Sequence, residues 1–345
     1  MFQARVNSSN FQTGDIYTVS RTARIVRALT VSLLMFCCLL IPGLSLAAKS
    51  SIAIVLSSDT AEYQTIAERI RQGLRDSRHY DRTVHLLIAD QISGSQKNSF
   101  PVDNPSVVVT IGVKALRVVL DKKDTDTIPV YAVFVPRLSY EKLLRESRQG
   151  IDRDPSRRLS ALFLDQPVGR QLRLAKWLSP EFSRAGVLLG TTTRILDKAL
   201  ARAASRLDLE LVEIRAENSR KIIPALNRAK NKIDFLLTIF DPDIISRNSA
   251  KQILYLSYNH HLPVIGYSRA MVKAGALAAV YSNTDQIGRQ AAEELITALD
   301  SDPVRLPRPR YPDYYQAICN QSVVRYFHIK LECDLTAFPH AGAAP

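Results

Sequence analysis

Apolar and polar positions fall into two kinds of block along this chain. Short unbroken apolar runs read as strands buried on both faces, and longer stretches with apolar residues every three or four positions read as helices. The strand-like runs are 51–56 (SIAIVL), 83–88, 106–111 (SVVVTI) and 128–135 (IPVYAVFV). Between them lies a helix over 61–76, with Tyr63, Ile66, Ala67, Ile70 and Leu74 on one face and Ser58 or Asp59 as its cap. The stretch 91–103 reads as polar loop or a short helix, and 113–120 as a helix. Strands that alternate with helices imply a parallel, doubly wound sheet, because each crossover needs a helix to cover the sheet.

Residues 145–158 break that rhythm. They are charged, contain Gly150 and Pro155, and have no apolar period, which predicts a linker or loop. The alternation then restarts with strands over 159–164, 184–189, 209–214, 235–240, 263–266 and 276–281. Helices over 168–178, 195–206, 222–229 and 285–299 lie among them, with further helical segments after Asp243 and after Gly266. A proline-rich stretch at 303–312, a strand over 314–319 and a helix over 321–328 close the pattern. The fold class is therefore α/β, two lobes each built on a doubly wound parallel sheet, with a ligand cleft between them. The expected division is 49–158 plus about 282–312 for the first lobe and 159–281 plus about 313–335 for the second. Residues 336–345 are expected to be a flexible tail.

Ligands of open α/β sheets sit beyond the carboxyl ends of the strands. The residues found there are Ser57, Ser58, Thr110, Gly112, Thr191, Thr192, Asp241, Ser268 and Ser282, with Phe134, Phe240 and Tyr267 beside them. Hydroxyls and helix-terminal amides suit an anionic group, and aromatic rings suit an apolar body. Taken singly, each polar residue fits capping or turn chemistry. As a set they predict a small-molecule site, with no metal ligands and no catalytic residues.

Charge and targeting refine this picture. The formal net charge is +13. Residues 1–47 hold Arg5, Arg21, Arg24, Arg27 and Asp15, so +10 remains beyond them. The basic residues are scattered over helices with no interleaved aromatics, which argues against nucleic acid. Arg21, Arg24 and Arg27 precede an apolar run over 28–46 that ends in Ser45-Leu46-Ala47. That is the pattern of a secretory signal over 1–48, cleaved near Ala47 or Ala48, and it predicts export to the periplasm. In an oxidising compartment Cys319 and Cys333 are expected to form a disulfide, with two free thiols the alternative. No Walker A sequence, GxGxxG or GxSxG occurs, so no nucleotide cofactor or serine nucleophile is expected. A hydrolase would have to use strand-end carboxylates such as Asp59 and Asp241, brought close together.

Several segments carry a resemblance. VVVTIGVKAL (107–116) with IPVYAVFVP (128–136), LAKWLSPEFSRAGVLLG (174–190), FLLTIFDPDIIS (235–246), LPVIGYSRAMVKAGALAAVY (262–281) and IGRQAAEELITAL (287–299) are similar to ABC-transporter substrate-binding proteins. The similarity is to those with the type I periplasmic-binding-protein fold, in the branch that binds tryptophan and tyrosine. Asn320 resembles the Asn that opens that family's last helix. The resemblance implies capture of a small molecule, an amino acid or other small anion, in the cleft. It further implies delivery to an ABC permease in the inner membrane, without enzymatic chemistry or a cofactor. A ligand-sensing or accessory envelope role of the same fold is the alternative. Two departures, Ser160-Ala161 and the segment Ser282-Asn283-Thr284-Asp285, bear on which ligand is taken.

Overall fold

The computed structural model describes residues 51–93, 99–147, 158–329, 335 and 338. The signal segment, Cys333, most of the 145–158 linker and the tail beyond Phe338 lie outside them. Two sheets organise the described chain. The first has strands β1 (Ile52–Leu56), β2 (Val84–Ile88), β3 (Val107–Ile111), β4 (Val130–Val135) and β5 (Leu159–Phe163), all parallel, in the order β2-β1-β3-β4-β5. The second has β6 (Arg184–Leu189), β7 (Glu210–Arg215), β8 (Phe235–Thr238), β9 (Val264–Gly266), β10 (Ala278–Tyr281) and β11 (Gln316–Cys319). Their order is β11-β10-β9-β8-β6-β7, and β11 alone runs antiparallel.

The unbroken apolar runs follow from cover on both faces. In β1, Ile52, Ile54 and Leu56 pack with α1 (Ala61–Arg75), whereas Ala53 and Val55 pack with α2 (Ala89–Ser93) and α3 (Val113–Leu120). Every residue of β1 and β3 is buried. Full burial of one such aliphatic side chain contributes about 1.5–3 kcal/mol. The helix α4 (Arg137–Glu146) covers the same face as α3 through Tyr140 and Leu143. The second sheet is covered on one face by α5 (Val168–Leu178), α6 (Asp197–Ser205) and α11 (Gln321–Tyr326), and on the other by α7 (Ile222–Ala229), α8 (Arg247–Asn259) and α9 (Arg269–Lys273).

Three details differ from the sequence reading. Leu159–Phe163 pairs with β4 and belongs to the first sheet, not the second. A strand that follows a charged loop looks like a new start, but register with a neighbour decides its sheet. The helix α4 is an addition, hidden in the sequence because its apolar positions are few. Thr60 stands at the N-cap of α1 and makes no side-chain cap bond, while the Asp59 carboxylate accepts from Gln64 Nε2 at 2.6 Å. Asn320 does cap α11, accepting from the amides of Ser322 and Val323.

The chain passes between the sheets three times. It leaves β5 for α5 across 164–167, returns from β10 to α10 (Thr284–Leu299) across 282–283, and leaves again toward β11 across 311–315. The helix α10 packs on α1, where a Cβ on Gly73 would lie 2.7 Å from that of Ala292 and one on Gly288 would lie 2.6 Å from that of Arg69. Near the third passage Arg310 joins the edge of β5, donating to the Ala161 carbonyl at 2.8 Å and accepting from Phe163 at 3.0 Å. All three passages meet at Ser282, which is buried. Its hydroxyl donates to the Tyr314 carbonyl at 2.6 Å and accepts from Gln166 Nε2 at 2.8 Å. Arg170 adds bonds to Gln166 Oε1 at 2.9 Å and to the Pro312 carbonyl at 2.5 Å. Removal of that hydroxyl deprives a buried amide and a carbonyl of their partner. Ser282→Ala is expected to destabilise the protein by about 1–3 kcal/mol, and urea denaturation checks this.

Candidate functional site

At the carboxyl ends of β1, β3, β4 and β5 the first lobe has a hollow of about 460 Å³. Its floor is Ser57 and Ser58 after β1, and one wall is Val113 and Lys114 at the start of α3. The other wall is Phe134, Pro136 and Leu164, and Tyr63 of α1 closes the side. Gly112 is required where α3 starts. Its φ is +88°, and a Cβ there would lie 2.5 Å from Ser57 Oγ and 2.8 Å from the Tyr63 ring. The Ser57 hydroxyl accepts from the Ala115 amide at 3.0 Å, so it caps α3 while it lines the hollow.

The aromatic part is built by an irregularity. Phe134 bulges out of the β4–β5 ladder, where register shifts between Val133 and Val135, and has φ of +61°. Its ring meets Tyr63 edge to face, with centroids 6.0 Å apart. Lys114 is exposed on the wall, with Nζ 2.5 Å from the Asp90 carboxylate. The positive end of α3 faces the same space. An aromatic pair, two hydroxyls, a cation and a helix terminus together suit a molecule with a ring and an anionic group.

Ser57, Ser58 and Phe134 are thus brought together, with Gly112 behind them. Thr110 is fully buried on the same face of β3 as Val108, because side chains alternate along a strand. Ser282 is taken up by the chain passages. In the second lobe the strand-end groups mostly bind one another. Thr192 donates to the Asp243 carboxylate, and the Asp243 amide donates to Asp241 Oδ1 at 2.9 Å. Thr193 donates to the Gly190 carbonyl at 2.8 Å, and Ser268 caps α9 by accepting from Met271. Asp241 is fully buried beside Gly190, and burial raises its pKa. Thr191 is exposed, and Tyr267 is half-buried with its ring 5.7 Å from Phe240. Cys319 is disulfide-bonded, and its partner lies outside the described residues.

Tyr63, Val113, Lys114, Pro136 and Leu164 also line the hollow and lie outside the sequence-predicted set. Tyr63 follows the apolar period of α1 and so reads as core, yet it stands one turn before the first fully buried position, Ile66. Asp59 is exposed in the first lobe, Asp241 is buried in the second, and no hydrogen bond joins them among the described residues. No group of three or more His, Cys, Asp or Glu suited to a metal occurs among the described residues. A second hollow of about 560 Å³ lies by Phe182, Asp234 and Pro263, at the amino ends of β6, β8 and β9. Open α/β sheets bind ligands at the other end.

Residues 94–340 match the family model described as ABC transporter substrate binding protein. A tyrosine-binding protein of Clostridioides difficile is 26% identical over 140 residues, which span 40% of this chain and 40% of that protein. Among solved structures, an ABC domain in complex with L-Trp from Streptococcus pneumonia aligns over 85% of this chain and 99% of its own, at 15% identity and a TM-score of 0.56. A ligand-free, open substrate binding protein with adhesive properties from Clostridium difficile aligns over 83% and 97%, at 16% identity and a TM-score of 0.61. These likenesses give the fold, that of type I periplasmic binding proteins.

Asp165, at the first passage and next to Leu164, accepts from the Arg137 amide at 2.6 Å and so holds the start of α4. Burial pushes its pKa up to about 6, against the pull of that amide and of the Arg137 charge. An unfolded Asp titrates near 3.9, so between about pH 4 and 6 the folded form binds the extra proton. Stability therefore falls as pH rises through that window, by about 3 kcal/mol at roughly 1.4 kcal/mol per pH unit. Asp165→Asn is expected to remove this part of the slope, as measured by denaturation across pH 4–7.

Proposed function

The chain belongs to the ABC transporter substrate-binding protein family, and from that membership we propose that it captures a small solute between its lobes and presents it to a membrane permease. Proteins of this family act outside the cytoplasm. The Arg-rich start and apolar run over 28–46 support export to the periplasm, with cleavage near Ala47 or Ala48. The solute is an amphipathic molecule with a ring and an anionic group, of which an aromatic amino acid, through its carboxylate, is the leading case. One observation carries this reading: the Tyr63–Phe134 pair stands beside the start of α3 and Lys114 in one hollow. Ring and anionic group would thus be held at the same time. The tyrosine-binding relative and the L-Trp complex point the same way.

In this reading the solute's anionic group sits at the α3 terminus beside Ser57, Ser58 and Lys114, and its ring packs on Tyr63 and Phe134. The second lobe closes over it with Thr191 and Tyr267. Asp241 and Thr192 act indirectly, through the loop they hold. Binding requires no bond to be made or broken, and no step calls for a cofactor.

A thermal-shift panel of amino acids and small carboxylates tests this. A solute that binds only the folded form adds about 2.7 kcal/mol of stability at a hundred times its Kd. Aromatic amino acids are expected to raise the melting temperature and small aliphatic ones to leave it unchanged. In calorimetry with the best solute, Tyr63→Ala and Phe134→Ala are each expected to weaken binding about tenfold to a hundredfold, because each removes a ring against which the solute buries apolar surface. Unaltered affinity in both variants would remove the hollow from the site.

A further inference from the structure

One contact between the lobes is not explained by the hollow. Lys142, on α4 of the first lobe, places Nζ 2.7 Å from the carboxylate of Asp243, in the loop after β8 of the second. The other carboxylate oxygen of Asp243 accepts from Thr192, in the loop after β6. The Asp243 amide in turn donates to Asp241. One side chain therefore ties together two strand-end loops of the second lobe and joins them to the first. The contact shows in the charges: hydrogen bonds from Lys142 and then Thr192 lower the pKa of Asp243, and the bond to Asp243 raises that of Lys142.

The pair is well placed to act on lobe approach. Its two residues lie on opposite sides of the chain passages, and both are part-exposed, so the contact can break and re-form without unburying a charge. Both partners are held in place, Lys142 on a helix that touches both lobes. Asp165 fixes the start of α4, and Leu138 of that helix packs into the core of the second lobe. Asp243 is fixed by its bonds to Thr192 and Asp241. When the pair meets, the entropy of ordering the two side chains is already reduced.

We propose that the Lys142–Asp243 ion pair is a latch between the lobes, which sets how much of the solute-free protein is compact and thereby tunes affinity. The effect on affinity rests on the binding role proposed above; the effect on lobe spacing does not. Charged neighbours bear on the choice of variant. Arg145, one turn along α4, also favours the Asp243 charge, and Glu146 favours that of Lys142. A Lys142 variant alone could therefore be covered by Arg145. Asp243→Asn removes the anion whichever cation serves it.

The test is the distance distribution between spin labels at Thr65→Cys, in the first lobe, and Lys251→Cys, in the second, measured by double electron–electron resonance without solute. Asp243→Asn is expected to lower the ratio of compact to open forms about twofold to fivefold, the range of a part-exposed ion pair. High salt should reduce the effect, because it screens the unaltered pair. The charge swap Lys142→Glu with Asp243→Lys is expected to restore the ratio. An unchanged distribution in Asp243→Asn overturns the latch. So does a change that the swap fails to restore, since Asp243 would then act only within its own lobe. If no solute binds but the ratio responds as expected, the binding role fails and the latch stands.

Discussion

The three chain passages between the lobes are held together at one buried hydroxyl, that of Ser282. Through Gln166 it reaches the first passage, and through the Tyr314 carbonyl the third. Arg170 doubles the link by bonding both Gln166 and Pro312. A buried polar group that loses its partner is costly, so this set forms as a unit or not at all. Everything that faces across the cleft is aligned from this point, because the two sheets share no strand. Backbone links and this hydrogen-bond set join the two lobes at the chain passages.

The two halves of the cleft are not equivalent. The first lobe offers a lined hollow whose rings face space, with Lys114, paired to Asp90, on its wall. The second offers loops whose polar groups are largely occupied by one another: Thr192 with Asp243, Asp243 with Asp241, Thr193 with Gly190. A group already satisfied inside the protein gains little by exchanging its partner for a solute. In the proposed binding role, the first lobe would carry most of the recognition, with the second acting as a shaped cover. The latch fits that division, since it joins the organised loops of the cover to the helix beside the hollow.

Much of this is legible in the residues. The two α/β rhythms come from apolar runs that only a sheet covered on both faces can bury, and 107–111 and 52–56 are buried throughout. Ser57, Ser58 and Phe134, expected at strand ends where open sheets bind, do line one hollow. What escapes the sequence does so for physical reasons. The sheet to which Leu159–Phe163 belongs depends on register with β4, a pairing that local pattern does not contain. Ser282 and Thr110 have the same chemistry as Ser58, and only three-dimensional position separates a passage bond, a buried strand hydroxyl and a cleft wall. Lys142 and Asp243 are 101 positions apart, so no spacing rule could have joined them.

The bulge at Phe134 has one more consequence. A non-glycine residue at φ of +61° carries backbone strain of about 1–3 kcal/mol, which the surrounding packing must hold. That strain aims the ring before any solute arrives, so little rotational freedom is left to lose on contact. Solutes that share a ring should then arrive at similar rates and differ chiefly in how long they stay. Residence time becomes the property on which sorting between similar molecules depends.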